Sequence, residues 1–361
     1  MTERSLTIRD HVINNDSPAY CLMEIGSNHQ GNIETAKRMI QAAADNGASG
    51  VKLQKRDNAS LFTAAMADEP YTGKHGFGPT YRQHREALEF DEFQHTELLH
   101  YAHRCGVDYI CTAFDLPSLA ILDAIGVDAI KIASCDMLTF PLVDAAFETG
   151  RPVIISSGGW TMEQVTHAVI HFDQHGKPYA LLHCTAEYPC PYEQAAIRVI
   201  ERYREVFAKP VVGYSGHEFG WGILPAVYAL GARIIEKHYT LDRTWKGADQ
   251  HFSILPSELR EMTRALEQTR CALMMGGEKV AQAGESRAMA KLGKSLYAAH
   301  DLWVGQPLTA DDIALKSPMV AGAATGDMLA SAIGRTVVRD IPADTALFFD
   351  GELQIMGGDQ T

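Results

Sequence analysis

Residues 212–249, VGYSGHEFGWGILPAVYALGARIIEKHYTLDRTWKGAD, carry the signal from which the fold is read. A short apolar strand runs to Gly213, and His217 lies just beyond it. An apolar segment with helical spacing follows, and a second strand, Arg233 to Lys237, delivers His238. Strands joined by a helical crossover are parallel, so their ends point the same way. Neutral imidazole is a common ligand for a divalent transition metal. Either histidine alone, among the 15 of the chain, reads as a surface residue. The matched pair reads as a two-histidine metal site with open positions for a substrate.

Outward from this unit the same alternation repeats. Candidate strands are Ala19–Ile25, Gly50–Leu53, Asp108–Thr112, Ala129–Ile132, Pro152–Ile155, Ala180–His183, Val211–Gly213 and Arg233–Lys237. Amphipathic segments lie between them, among them Ile33–Asn46, Phe90–Cys105, Phe140–Thr149 and Met162–Phe172. Eight β-then-α units over roughly 250 residues predict an α/β fold of the (β/α)8 TIM-barrel type rather than an open doubly wound sheet. The domain boundaries follow as a barrel over 1–276, a polar linker over 277–294 and a small β-rich domain over 295–361. Two similar phrases in that small domain, AAHDLWVGQPLTADDI and VVRDIPADTALFFDGEL, predict weak internal repetition.

A formal net charge of -13 argues against nonspecific nucleic-acid binding. Seven cysteines without a CxxC pair fit reduced thiols in a cytoplasmic protein. The N-terminus has no apolar signal core. The long second βα connection, Lys55 to Phe90, reads equally as a lid or a solvated loop, and gathers Lys74, His75, Arg82, His84 and Arg85.

In a barrel the βα loops build the active site at the carboxyl ends of the strands. Those ends carry Glu24, Asn28 and His29; Lys52 and Gln54; Thr112 and Asp115; Lys131, Ser134 and Asp136. Next come Ser156 and Ser157; His183, Thr185 and Tyr188; Ser215 and His217; Glu236, Lys237 and His238. A lysine embedded in an apolar strand, as in VKLQ or IKIAS, is desolvated unless it meets an anion. Lys52 and Lys131 with Ser134, Ser156 and Ser215 therefore make a phosphate or carboxylate cradle.

EIGSNHQG, GASGVKLQ, KIAS, VIISSGG, LLHCTAEYPCP, VGYSGHEFG and ALGARIIEKHYTLDR strongly resemble the N-acetylneuraminate (sialic acid) synthase family, over nearly the whole chain. EPYTGKHGFGPTYRQHREALEF and LDRTWKGADQ resemble its animal-type branch, which uses a 6-phosphorylated sugar. The resemblance implies a barrel followed by an antifreeze-like (SAF) domain, and a domain-swapped homodimer. It implies a metal-dependent transferase that condenses phosphoenolpyruvate with an N-acylmannosamine-type aldose. The metal is Mn²⁺ first, with Mg²⁺ or Co²⁺ as alternatives. Carried over by motif, the metal ligands fall on His217 and His238. Phosphoenolpyruvate contacts fall on Lys52, Thr112, Lys131, Ser134, Ser156 and Ser215. Sugar contacts fall on Gln54, Asp136, Tyr188 and Asp249, and catalytic carboxylates on Glu24 and Glu236. Ala186, Ser317 and Asp136 depart from common family residues. They keep open a synthase of another nonulosonic or deaminated sugar acid, and a catalytically silent sugar-binding protein.

Overall fold

The chain opens with an antiparallel hairpin, β1 (Ser5–Ile8) and β2 (His11–Asn14). Eight parallel strands then close into a barrel: β3 (Tyr20–Gly26), β4 (Gly50–Lys55), β5 (Asp108–Ala113), β6 (Ala129–Ile132), β7 (Val153–Ser156), β8 (Tyr179–Cys184), β9 (Val211–Gly216) and β10 (Ile234–His238). Outside them lie α1 (Ile33–Asp45), α2 (Asn58–Leu61), α3 (Ala64–Ala67), α4 (Tyr81–Glu86), α5 (Glu92–Cys105), α6 (Leu116–Ile125), α7 (Phe140–Glu148), α8 (Met162–Phe172), α9 (Val199–Val206), α10 (Leu224–Ala229) and α11 (Pro256–Leu273). This computed structural model describes residues 4–350 and 354–357.

Period-two alternation along each strand explains what fills the barrel. Outward residues such as Met23, Val51, Cys111, Ile155, Leu181 and Ile235 pack beneath the helices. Inward residues low in the barrel, Leu22, Ile110, Ile154, Leu182 and Ile234, cluster with Leu6, Ile8 and Ile13 of the hairpin. Two residues further along the same strands, the same face presents Glu24, Thr112, Ser156, Cys184 and Glu236 to an open cavity. The barrel thus has an apolar layer plugged by the hairpin at one end and a polar, open cavity at the other.

The elements are positioned by local chemistry. The Thr161 side chain accepts from the Gln164 backbone N–H, and the Gln164 side chain accepts from the Thr161 N–H, which starts α8 with two otherwise orphaned donors satisfied. In β3 the pairing with β4 shifts register between Glu24 and Gly26. Gly26 has φ +52, and a Cβ there would stand 2.9 Å from Glu24 Oε1. Glycine at this bulge leaves room for the Glu24 carboxylate.

The chain divides into two compact units, Met1–Met275 and Gly276–Thr361. The second holds α12 (Ser286–Leu292), α13 (Leu329–Ala332) and five strands: β11 (Ser295–Ala298), β12 (Ile313–Lys316), β13 (Thr336–Val337), β14 (Leu347–Asp350) and β15 (Gln354–Gly357). Its core gathers Leu296, Leu302, Leu308, Val337, Ile341 and Leu347. The two repeated phrases meet there: the Leu302 N–H donates to Ile341 O at 2.8 Å, and the Ile341 N–H returns the bond at 2.9 Å. The end of the second phrase, 351–353, lies outside the described residues, as do 358–361 of the expected small domain.

Some expectations need correction. Several strands run further at their carboxyl ends, β9 to Gly216 and β4 to Lys55, because polar residues there pair on in the closed sheet. The hairpin was not anticipated. The segment expected as a linker carries α12, since SRAMAKL is built almost wholly of good helix formers. The second βα connection carries α2, α3 and α4 rather than irregular chain.

Candidate active site

A cavity of ≈ 460 Å³ opens where the barrel strands end. Lys52 and Lys131 are buried in its floor. The Lys52 ammonium donates to Thr112 Oγ1 at 3.1 Å and lies 2.5 Å from Glu24 Oε2 and 3.6 Å from Glu236 Oε1. Lys131 donates to Ser156 Oγ at 2.6 Å and to the Ile132 carbonyl at 2.9 Å. Burial works against both ammonium groups. It prevails for Lys131, whose pKa falls, whereas Glu236 and Glu24 outweigh it for Lys52, whose pKa rises. Ser134 Oγ accepts from the Gly158 N–H at 2.9 Å, and a Cβ on Gly158 would meet Cys184 Sγ at 2.9 Å. That wall has no room for a side chain.

The two carboxylates are pushed apart in proton affinity. Burial, reinforced by the negative charge of Glu236, raises Glu24 although Lys52 opposes it. Burial also acts on Glu236, but Lys52 and Lys131, then the two histidines, outweigh it and hold this carboxyl below its ordinary range. Glu24 Oε1 accepts from Gln54 Nε2 at 2.6 Å, and Glu236 Oε1 accepts from Ser215 Oγ at 3.2 Å. Environments that separate two carboxyls in this way suit one to move a proton and the other to remain charged.

His217 and His238 face each other with ring centroids 5.4 Å apart. His217 Nδ1 lies 2.9 Å from the Thr185 carbonyl, which leaves Nε2 free as a donor atom. The buried Nδ1 of His238 has no hydrogen-bond partner among the described residues, and a carboxylate oxygen of Asp249 is 3.9 Å away. Burial lowers His217 to about 4 and His238 to about 3, so both imidazoles are neutral at pH 7. Two neutral rings with spare nitrogen lone pairs beside carboxylates fit a divalent transition metal. Tyr188 packs against His217 with ring centroids 4.0 Å apart and planes tilted by 42°.

Thus the cavity brings together Glu24, Lys52, Gln54, Thr112, Lys131 and Ser134 with Ser156, Tyr188, Ser215, His217, Glu236, His238 and Asp249. Asp136 is not in its lining: it sits in a 3-10 turn after β6, with its carboxylate on Cys135 Sγ at 3.4 Å and near Thr139. Of the cations expected on the second connection, only Arg85 lines the cavity. Arg82 pairs with Asp68 at 3.1 Å, His84 is buried among Tyr71, Phe77 and Tyr81, and Lys74 is exposed. Sequence reasoning missed Arg56. It lines the cavity beside Arg85, stacks on the Phe114 ring at 3.7 Å and donates to Gln54 Oε1 at 2.7 Å. Burial, then the charge of Arg85, lowers its pKa. The signal was its place directly after the strand ending in LQK.

The NeuB family profile matches residues 39–279, and the SAF domain profile matches residues 293–351. N-acetylneuraminate-9-phosphate synthase of Mus musculus is 37% identical over 299 residues, 83% of this chain and 83% of that protein. The protein of the same name from Drosophila melanogaster is 36% identical, over 90% of this chain and 93% of its own length. Among solved structures, N-acetylneuraminic acid (sialic acid) synthetase from Leptospira borgpetersenii serovar Hardjo-bovis, in complex with citrate, is 32% identical with a TM-score of 0.69. That match covers 79% of this chain and 95% of the other. With a profile match over more than half of its length and relatives of this identity, the chain belongs to the NeuB family.

Proposed function

We propose that the barrel unit condenses phosphoenolpyruvate with an N-acylmannosamine-type aldose, giving a sialic acid or its 9-phosphate and inorganic phosphate. The observation that carries this reading is the buried floor of two lysines and two carboxylates facing a pair of neutral histidines. Relatives named N-acetylneuraminate-9-phosphate synthase support it.

Lys52 and Lys131, with Thr112, Ser134, Ser156 and Ser215, hold the carboxylate and phosphate of phosphoenolpyruvate where charge builds up in the reaction. A divalent metal on His217 and His238, Mn²⁺ first, would supply Lewis-acid polarisation of the aldehyde oxygen. C3 of phosphoenolpyruvate forms the new bond to the aldehyde carbon as its C2–C3 π bond opens, and the aldehyde oxygen takes up the proton that Glu24 removes from the attacking water. Water adds at C2, and loss of phosphate leaves the 2-keto group. Glu24, with its raised proton affinity, takes the proton of that water, while Glu236 stays ionised beside the lysines. Gln54, Tyr188 and Asp249 orient the sugar.

The sugar is read as the 6-phosphate. Arg56 and Arg85 both line the cavity, and although Arg56 pairs with Glu89 at 3.5 Å, the two guanidiniums offer a sugar phosphate dianion charge-assisted contacts. Arg56 and Arg85 are therefore the groups read as holding the sugar's 6-phosphate. The family resemblance further supports a cytoplasmic homodimer in which one small domain covers its partner's barrel. Among the described residues no helix is long and apolar enough to cross a membrane. A fully active monomer in size-exclusion chromatography would refute the dimer. The deciding experiment measures phosphate release from phosphoenolpyruvate with Mn²⁺ and either N-acetylmannosamine or its 6-phosphate. Release that depends on aldose, with higher kcat/KM for the 6-phosphate, is expected. Release with neither sugar overturns the reading.

A further inference from the structure

On the outer wall of the barrel, away from the cavity, α7 lies beside α8 and the 3-10 turn that follows it, Asp173–His175. His171 in the last turn of α8 and His175 four residues on point the same ring atom, Nε2, at one oxygen of α7, Asp144 Oδ1. The distances are 2.6 and 2.9 Å. All three ligand atoms lie within 4.8 Å of one another.

The rings are held in place before any ligand arrives. Phe140 stacks on His171 with centroids 4.0 Å apart at 12°, and Phe147 stacks on His175 at 4.5 Å and 21°. Phe140, Asp144 and Phe147 follow helical spacing, so one face of α7 supplies both stacking platforms and the carboxylate between them. The side chains remain 21–36% exposed, so an ion reaches them from solvent. None of the three lines the cavity, and no step proposed above uses them.

We propose that Asp144, His171 and His175 form a second metal site, for a divalent ion of the Zn²⁺ class, with the remaining position open to water. Two imidazoles and one carboxylate are a donor set for Zn²⁺, Co²⁺, Ni²⁺ or Cu²⁺ rather than for Mg²⁺ or Ca²⁺. Bonds of about 2.0–2.1 Å in a tetrahedron set the ligand atoms roughly 3.4 Å apart. The Asp144 oxygen must draw back from the two nitrogens by about 0.5–0.8 Å, with each Nε2 as the unprotonated tautomer, to open that space. The ion joins α7 to the end of α8 and so acts as a staple on the barrel wall.

The test is equilibrium dialysis of the full chain against Zn²⁺. A His217→Ala/His238→Ala background, which removes the cavity pair, should retain one tightly bound Zn²⁺ per chain. Adding His171→Gln and His175→Gln should remove it, and Asp144→Asn alone should weaken it at least tenfold. Zn²⁺ should raise the melting temperature of the background protein, but not of the protein that also carries the two glutamines. In the otherwise unaltered chain, His171→Gln/His175→Gln should leave phosphate release with Mn²⁺ unchanged, which separates this site from the proposed catalytic one. No retained Zn²⁺ in the cavity-pair background, or retention that survives His171→Gln/His175→Gln, overturns the proposal and leaves the cluster a hydrogen-bonded pair of histidines on one carboxylate.

Discussion

Both ends of this barrel bury carboxylates, and they differ in how fully the polar atoms around them are paired. At the plugged end, Asp108 accepts from Tyr20 at 2.8 Å, faces His11 Nδ1 at 2.8 Å and pairs with Arg9 at 3.2 Å. Its neighbour Asp128 accepts the Tyr109 N–H at 2.7 Å and faces His103 at 2.8 Å. At the open end, one oxygen of Glu236 and Nδ1 of His238 have no hydrogen-bond partner among the described residues. A buried polar group left without a partner costs stability, so it persists where a ligand completes it. The hairpin end is built for folding and the cavity end for binding.

The sharpest way to break this comparison is at the open end. His217→Ala or His238→Ala should lower turnover on the order of 10³-fold, the scale of removing an electrostatic stabiliser of the reacting group. Chelation should do the same to the intact chain, with Mn²⁺ or Co²⁺ restoring phosphate release. Neither substitution should lower the melting temperature appreciably, because it removes a ring that lines the cavity rather than the apolar core. Full turnover in a chelated sample would contradict the role given to the pair.

The plugged end should respond the other way round. Asp108→Ala leaves the Tyr20 hydroxyl without its partner and Arg9 to Asp128, 3.7 Å away, and should cost about 3 kcal/mol of stability. Denaturant unfolding measures this, and the protein that remains folded should keep its kcat. A loss of kcat with unchanged stability would reverse the two ends.

Substrate selection should show a smaller effect. Arg85→Ala should raise KM for the 6-phosphorylated sugar roughly tenfold, as expected for one lost charge-assisted contact, with KM for phosphoenolpyruvate little altered. Lys74→Ala and Arg82→Ala should change neither, since neither lines the cavity.

The smallest effect concerns pH. Burial lowers His95, which shares a 2.8 Å hydrogen bond with Tyr109, to about 3. The unfolded chain therefore binds a proton near the ordinary histidine value that the folded chain refuses. The stability from this group is complete above the unfolded pKa and is lost as pH falls from there towards about 3. Between pH 7 and 6 the loss is roughly 0.7 kcal/mol. Comparing the unfolding free energy of the wild type and His95→Gln at these two pH values checks it, and an equal slope in both would remove His95 from the account.

The pattern of eight strands was legible because apolar, β-rich runs, each followed by a helical period, need nothing beyond local sequence to be seen. The lysines in VKLQ and IKIAS were legible for a related reason: a charge inside an apolar run is costly unless something meets it. The hairpin was not legible, since SLTI and HVIN are short and mixed in polarity. Only packing under the barrel explains them. The Asp144–His171–His175 cluster was equally hidden, because its members come from different helices and only the packing of α7 on α8 brings them together.

By itself the sequence determined the order of the eight barrel strands, the set of polar residues at their ends and the family that those motifs resemble. These depend on the period of two along a strand and on residues close together in the chain. The tertiary structure alone decided that Asp136 turns aside while Arg56 enters the cavity, and that Glu24 and Glu236 differ in proton affinity. Those outcomes depend on which buried charges lie within a few ångströms across strands far apart in sequence, and strand closure sets those distances.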